Sequence, residues 1–190
     1  SNDILISVDT TSSEVAEAAI DLKVDMINDI SGGTDDEDLI SLVASHDLYY
    51  CIMHKKGEPK TMQDNPSYVD VLKEVKEFLL EQAIKAEQYG ISKNKIILDP
   101  GIGFGKNTEH NLILLKNLKN LSSLGYFTLL GTSRKKIFSE LSGENNPQDR
   151  ISGTCATSAL GVLSDINIFR VHDVWQNKQA IDVAYAIKKS

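Results

Sequence analysis

Cysteine is scarce in this 190-residue chain, which contains only two cysteines. Cys51 and Cys155 each lie among apolar or small residues, so both are predicted to be buried free thiols. The sequence has no CxxC pair and no cysteine framework of the kind that secreted proteins use. His46, His54 and His110 lack the spacing of a metal-ligand cluster, so no zinc site is predicted.

The chain also lacks a long apolar run and an excess of positive charge. No apolar stretch reaches the ~20 residues that a membrane-spanning helix needs, and no signal peptide precedes the first predicted strand. The formal net charge is -7, which disfavours a nucleic-acid-binding surface. We therefore predict a cytoplasmic protein that binds neither membrane nor nucleic acid, and in which local positive groups hold any anionic substrate.

What the chain does have is the composition of an ordinary globular domain. Hydrophobic residues make up 41% of the sequence and charged residues 25%, which is enough apolar material for a core. No internal repeat, low-complexity tract or linker divides the sequence. We predict a single domain over residues 1–190, because a chain of this length fits one core.

Six short apolar runs alternate with helical patterns. The predicted strands are 4–8, 26–27, 49–53, 96–98, 126–130 and 166–171. The predicted helices are 11–22, 37–44, 67–89, 111–121, a segment ending at 141, 152–163 and 178–187. Thr11 and Glu14 have the spacing of a capping box at the start of the first helix. This alternation predicts a parallel sheet with right-handed crossovers.

Two closures of such a sheet are possible: an open doubly wound sheet, or part of an eight-stranded barrel. Every predicted strand ends in polar or glycine-rich residues: Asp9, Asn28, His54, Asp99, Ser133 and His172. A barrel gathers all strand ends around one mouth, whereas a doubly wound sheet uses only those near its switch point. The barrel is therefore favoured. Because a TIM (β/α)8 barrel typically needs ~250 residues, we predict that the first two βα units are lacking.

The stretch IILDPGIGFGK, residues 96–106, is the centre of this pattern. Asp99 follows a buried strand, at the end where ligands bind in alternating strand–helix proteins. The glycines at 101, 103 and 105 permit a sharp turn and close approach of the backbone to a ligand. An alternative interpretation is a simple turn, and the GxGxG spacing is not the GxGxxG dinucleotide fingerprint.

Two groups of polar residues at the strand ends suggest a chemistry. Asp9, Asn28 and Asp99 offer carboxylate and amide groups suited to a flat heterocycle that presents N–H donors. Helix capping for Asp9 and turn formation for Asn28 are the alternatives. Arg170 and His172 stand two residues apart, so both side chains leave one face and suit phosphate or diphosphate. The alternative is a salt-bridged arginine beside a packed histidine.

Taken together, these pieces resemble the dihydropteroate synthases, a family of pterin-binding enzymes, along almost the whole chain. The matching segments, in the order of the family, are ISVDTTSSEVAEAAI, MINDISGG, MHKKGEPKTMQ, IILDPGIGFGKNTEHN, GTSRKKIF and FRVHDV. The resemblance implies a barrel-shaped transferase of folate biosynthesis. Such an enzyme condenses 4-aminobenzoate with (7,8-dihydropterin-6-yl)methyl diphosphate, releases diphosphate, and is the target of sulfonamides.

The resemblance also implies roles for individual residues. Asp9, Asn28, Met53, Asp99 and Lys135 would bind the pterin; Arg170 and His172 would bind diphosphate; Phe104, Ser133 and Lys135 would lie on the aminobenzoate side; and Lys135, Arg170 and His172 would be catalytic. Lys106 is a further candidate. Family members use Mg²⁺ with the diphosphate and are commonly homodimers. The full-length protein is also expected to occur either alone or fused to a pyrophosphokinase.

The chain departs from the family at its start. The first strand with its loop motif, similar to NxTPDSFSDGG, is absent, and so is the Thr-Arg-Pro-Gly run of the second loop. In the family these loops supply the metal-binding asparagine, further diphosphate contacts and part of the aminobenzoate site. We therefore predict no metal ligand within this chain, and that the chain alone is inactive or poorly folded.

Two other functions are consistent with part of the pattern. A methyltetrahydrofolate-dependent corrinoid methyltransferase has a related barrel with similar pterin-holding acids. The SRK and RVHD segments argue against it, because a methyl transfer needs no diphosphate clamp. The second is a non-catalytic pterin-binding homologue, against which Asp99, Lys135, Arg170 and His172 all argue.

Overall fold

The computed structural model describes residues 4–57, 61–62 and 64–190. Within these ranges the strands are β1 (Ser7–Asp9), β2 (Met26–Asp29), β3 (Tyr49–Met53), β4 (Ile96–Asp99), β5 (Phe127–Leu130) and β6 (Ile168–Phe169). The α-helices are α1 (Ser13–Asp21), α2 (Asp38–Ser45), α3 (Val71–Gln88), α4 (Thr108–Lys116), α5 (Leu118–Ser122), α6 (Lys136–Ser142), α7 (Ile151–Leu163) and α8 (Val174–Lys189). Part of the segment GEPKTMQ, which the sequence predicts to be a loop, lies outside the described residues.

All six strands are parallel, and their spatial order is the order of the chain. A doubly wound sheet reverses its strand order at a switch point, and the described strands show no such reversal. The predicted α/β class with a parallel sheet is confirmed, and the open doubly wound alternative is wrong.

The sheet is strongly curled. Neighbouring strands lie about 4.8 Å apart, so β1 and β6 would be about 24 Å apart in a flat six-stranded sheet. Instead, the carboxylate of Asp9 at the end of β1 forms an ion pair with the guanidinium of Arg170, the residue after β6. Two side chains cannot bridge that flat distance, so the sheet curves into a half-barrel with its two edges facing each other.

The two faces of this curled sheet bury different residues. On the outer face, Tyr50, Ile52 and Leu98 are fully buried in the main core, which also contains the apolar stripe of α3. On the inner face, Cys51, Ile97 and Leu129 form a smaller apolar cluster. Since successive side chains of a strand point to opposite faces, the inner face continues at every second residue toward the ends of the strands.

Several local predictions need correction. The helix predicted over 111–121 is two helices, α4 and α5, because Asn117 donates its side-chain amide to the carbonyl of Ile113 and leaves helical geometry. Asparagine competes with the helix backbone in this way. The predicted Thr11 capping box is wrong: Ser12 caps α1. Cys51 is buried as predicted, whereas Cys155 is half-buried, in an open groove between α7 and α8.

The glycine-rich loop after β4 packs directly on the end of β3. Gly101 has a φ of +66°, and a Cβ there would lie 1.9 Å from the carbonyl oxygen of His54. Gly143, which caps the C-terminus of α6, has a similar φ of +77° but has open space around it. An alanine at Gly143 therefore introduces backbone strain alone, whereas an alanine at Gly101 introduces both backbone strain and steric overlap.

We expect Gly143→Ala to destabilise the chain by about 1 kcal/mol, since only left-handed backbone strain is introduced. Gly101→Ala should lose an additional 1–3 kcal/mol, roughly, because the loop must move away from β3. Urea unfolding followed by circular dichroism measures both losses. Equal losses would show that the loop does not depend on its close approach to β3.

Candidate active site

A cavity of about 500 Å³ opens at the carboxyl ends of the strands. Its size is in the range of small-molecule sites. The residues that line it are Asp9, Asn28, Ile30, Met53, Asp99, Phe104, Gly131, Ser133, Lys135, Arg170, Val171 and His172. All nine side chains to which the sequence assigns a binding or catalytic role are in this set, so the structure brings them together.

Strand register explains how residues far apart in sequence reach one cavity. Asp9 is paired with Asn28 across β1 and β2, and Met53 is paired with Asp99 across β3 and β4. Each of these residues lies on the inner face, beyond the apolar cluster that contains Cys51. The alternation of side chains along the strands therefore places polar groups at the rim of the cavity, and the apolar cluster lies deeper on the same face.

Asp99 is the most deeply buried acid of the cavity, with 6% of its surface exposed. Its Oδ1 accepts a hydrogen bond of 2.7 Å from the backbone N–H of Gly101. Burial raises the pKa of its carboxyl to about 6, and the Gly101 hydrogen bond and the charges of Lys135, Lys106 and Arg170 oppose that rise. The side chain is thus largely ionised at neutral pH, in surroundings that favour its neutral form.

Asn28 and Asp9 form the neighbouring part of the rim. The side-chain amide of Asn28 donates to Oδ1 of Asp9 over 2.9 Å, which fixes the orientation of the amide. The Oδ1 atom of Asn28 is buried and has no hydrogen-bond partner among the described residues. A buried acceptor without a donor is unfavourable, so this atom is suited to an N–H group of a ligand.

The sequence pattern suggests that Arg170 is separate from these acceptors, but in the structure it contacts one of them. Its guanidinium pairs with Oδ2 of Asp9, and the two side chains are 59% and 45% exposed. The alternative of a salt-bridged Arg170 is therefore what the structure shows. A pair this exposed contributes only about 0–1 kcal/mol, so an anion in the cavity can compete with Asp9 for the guanidinium.

His172 and Lys135 are held by contacts between the loops after β5 and β6. Nδ1 of His172 lies 2.8 Å from Oγ of Ser133, and the backbone N–H of His172 donates to the same oxygen over 3.0 Å. Arg134, which has a φ of +57°, turns away and binds the carboxylate of Asp173 through two hydrogen bonds of 3.0 and 2.6 Å. Lys135 is thereby directed into the cavity.

Phe104 forms a wall of the cavity beside Lys135. Nζ of Lys135 lies 4.0 Å from the centre of the Phe104 ring, a cation–π distance. Burial lowers the pKa of Lys135, and the charge of Asp99 opposes that effect. An aromatic face next to a partly desolvated cation is suited to a flat aryl group that carries a negative charge.

Two residues that the sequence analysis names do not line the cavity, and two residues that line it are not predicted from the sequence. Lys106 does not line the cavity, because its Nζ turns into the glycine-rich loop. His54, which is predicted to be one of the polar strand ends, is buried behind the same loop. Ile30 and Val171 line the cavity but carry no chemical group that a sequence pattern would single out.

The described residues contain no group of three or more His, Cys, Asp or Glu side chains that could hold a metal ion. No described helix is both long and apolar enough to cross a bilayer.

Comparison with known proteins shows the family of the chain. The sequence model described as "Pterin binding enzyme" matches residues 1–172. The dihydropteroate synthase of Synechocystis is 40% identical over 185 residues, a match that covers 97% of this chain and 64% of that protein. The chain thus spans slightly less than two thirds of the length of this curated relative.

Solved structures give the same result. The dihydropteroate synthase of Thermus thermophilus, in complex with 4-aminobenzoate, superposes with a TM-score of 0.92 at 40% identity and covers 97% of this chain and 71% of that one. A Yersinia pestis dihydropteroate synthase in a sulfonamide drug complex has a TM-score of 0.94 at 34% identity, covering 98% of this chain and 68% of that one.

The burial of Asp99 leads to a pH-dependent prediction. Because its folded-state pKa of about 6 exceeds the ordinary 3.8, its ionisation opposes folding above pH 6, and this penalty disappears as the pH falls to 3.8. Asp99→Asn should therefore unfold with a free energy up to about 3 kcal/mol higher at pH 8. The difference should shrink to near zero at pH 4. Urea unfolding of both proteins across this range measures it, and a pH-independent difference would contradict the buried ionised carboxylate.

Proposed function

Because the chain belongs to the pterin-binding enzyme family, we propose that it forms the greater part of a dihydropteroate synthase. The reaction joins 4-aminobenzoate to (7,8-dihydropterin-6-yl)methyl diphosphate and releases diphosphate. One observation carries the proposal: a single cavity combines buried acceptors for a heterocycle with cationic groups for a diphosphate. Relatives that bear the name of this enzyme support it.

The pterin ring is proposed to lie against Asp99, Asn28 and Asp9, over Met53. The ionised carboxylate of Asp99 would accept hydrogen bonds from adjacent N–H groups of the pterin, with charge assistance. The unpartnered Oδ1 of Asn28 would accept another. Lys135, beside Asp99, would contact the edge of the same ring. The binding of a donor-rich ring would thus relieve the unfavourable burial of both acceptors.

The diphosphate is proposed to bind at Arg170 and His172. As the bond between the pterin methylene carbon and the diphosphate oxygen breaks, its electron pair passes to the oxygen. Arg170, His172 and Lys135 stabilise the charge that develops there. The nitrogen of the arylamine supplies the electron pair of the new bond to the methylene, and its proton is lost afterwards. A neutral arylamine needs positioning more than deprotonation, so no dedicated general base is assigned.

The 4-aminobenzoate is proposed to lie beside Phe104, with Ser133 and Lys135 near its carboxylate. The packing of Lys135 over the Phe104 ring supports this placement, because it combines an aromatic face with a positive charge. A sulfonamide has the shape of an arylamine that bears an acidic group. It would compete for the same wall, as the sulfonamide complex of the Yersinia relative suggests.

The complete enzyme is proposed to be a TIM (β/α)8 barrel, in which two further βα units close the gap between β6 and β1. The segment that leads into β1 supports this: Ile4, Leu5 and Ile6 are largely exposed and would be covered by such units. Mg²⁺ would be held by the diphosphate and by a group outside this chain, where it would supply further positive charge. A single domain over 1–190, a homodimer, a pyrophosphokinase fusion and a cytoplasmic location remain predictions.

Diphosphate binding is tested by titration of the chain with inorganic diphosphate in a calorimeter. Arg170→Ala should weaken binding at least ~10-fold, because a charge-assisted contact is lost. Lys178→Ala is the control: it also removes one positive charge, but from an exposed lysine of α8 that pairs with Asp182. If the two variants bind equally, the affinity reflects net charge and the diphosphate site is wrong. No binding to the parent chain would favour the methyltransferase alternative.

Turnover is tested by a steady-state assay that follows dihydropteroate. The 190-residue chain alone should show none, and a longer protein with the preceding βα units should be active. In that longer protein, Lys135→Met should lower kcat by roughly 100-fold or more. Lys136→Met, a change at the exposed neighbour, should leave kcat unchanged. Normal turnover by the chain alone would contradict the need for further units.

A further inference from the structure

Lys106 is a buried lysine that the proposed reaction does not use. Only 2% of its surface is exposed. Its Nζ lies 2.9 Å from Nδ1 of His54 and donates to three carbonyl oxygens, those of His54 (3.2 Å), Gly101 (3.0 Å) and Phe104 (3.0 Å). All four of these partners are neutral, and burying an ammonium that is hydrogen-bonded to no acid is unfavourable. The burial of Lys106 is therefore not explained by an ion pair.

The partners of Lys106 are the two segments that meet behind the cavity. Its Nζ joins the glycine-rich loop to the end of β3, where Gly101 and Gly105 approach the backbone of His54 and Lys56 too closely for any Cβ. The ammonium is thus the centre around which the carbonyl groups of the loop converge.

Two further side chains bind other backbone groups of this loop. Asn111 accepts from the N–H of Gly103 over 2.8 Å and donates to the carbonyl of Lys106 over 3.2 Å. The hydroxyl of Tyr68 donates to the carbonyl of Gly105 over 2.8 Å. The loop is therefore held by the ammonium of Lys106 and, at other backbone positions, by these neutral groups.

The same loop delivers two cavity residues. The N–H of Gly101 binds the carboxylate of Asp99, and the Phe104 ring forms the wall beside Lys135. We propose that Lys106 is a positioning residue: its ammonium holds the loop so that Asp99 and Phe104 face the cavity together, and it adds a positive charge behind the carboxylate of Asp99. The inference deepens the proposed function and rests on it for the identity of the ligand.

The charges around the loop agree with this role. Burial lowers the pKa of Lys106 to about 7, with Asp99 opposing and Lys135 adding to the effect. His54 stays neutral, because burial and then Lys106 lower its pKa to about 3. Lys106 is in turn one of three cations, with Lys135 and Arg170, whose charges lower the pKa of Asp99. Lys106 thus acts on Asp99 from behind, whereas the other two face it from the cavity.

The test follows the ionisation of Asp99 by carbon-13 NMR of its carboxyl group in the chain without any ligand. In the parent chain this group should titrate near pH 6. Lys106→Met keeps the length of the side chain but removes the charge, and should raise the midpoint by about one unit. Lys56→Met is the control: Lys56 is close to the loop, but it binds Glu74 and the carbonyl of Ser67 instead. An unchanged midpoint in Lys106→Met, or an equal shift in both variants, would overturn the proposal.

A second measurement separates this inference from the proposed function. Affinity for a pterin should fall as the pH drops through the Asp99 midpoint, and in Lys106→Met that fall should begin at higher pH. If the parent chain binds no pterin, the proposed function fails, while the NMR midpoints still decide the role of Lys106. If pterin binds but its pH profile is the same in parent and Lys106→Met, the positioning role is wrong.

A folding defect is addressed by a second variant. Should Lys106→Met lack native near-ultraviolet circular dichroism, Lys106→Gln is measured in the same way, because its neutral amide still donates to the loop carbonyls. A raised midpoint there would support the charge effect. Failure of both variants to fold would make Lys106 a general requirement for folding and would overturn a specific positioning role.

Discussion

The burial of an ionised carboxylate at Asp99 is the constraint on which the rest of the site depends. A carboxylate in an apolar pocket tends to take up a proton, yet only the ionised form offers both oxygens as charged acceptors to a pair of N–H groups. The structure opposes protonation with the hydrogen bond from Gly101 and with the charges of Lys135, Lys106 and Arg170. Both the glycine-rich loop and the cations around the cavity follow from this one requirement.

The groups of the site come from opposite ends of the chain, and the curvature of the sheet brings them together. Asp9 and Arg170 are 161 positions apart, and they meet because six parallel strands in chain order curl toward each other. Alternation along each strand then selects which residues face inward. Cys51 and Ile97 form an apolar cluster on the inner face, and the polar residues beyond them form the rim of the cavity.

How much of this arrangement the sequence predicts can be judged from particular residues. Asp99 and Asn28 are predictable, since each follows a short apolar run and parallel strands share one ligand-binding end. The pairing of Asp9 with Arg170 cannot be predicted from the sequence, because it depends on how far the sheet curls. The inward turn of Lys106 also escapes sequence analysis, as a lysine after a glycine-rich loop is normally solvated. Its burial depends on carbonyl groups that only the folded loop brings together.

The exposed Asp9–Arg170 pair has a consequence for the order of events in the proposed reaction. While Asp9 holds the guanidinium, an anion that binds Arg170 must first displace this carboxylate, at a cost of about 0–1 kcal/mol. A pterin that draws Asp9 toward its own N–H groups would free Arg170 for the diphosphate carried on the same molecule. Ring and diphosphate would then bind better together than either fragment alone, because each contact removes the competitor of the other. The cavity is thus suited to a substrate that joins a donor-rich heterocycle to an anion.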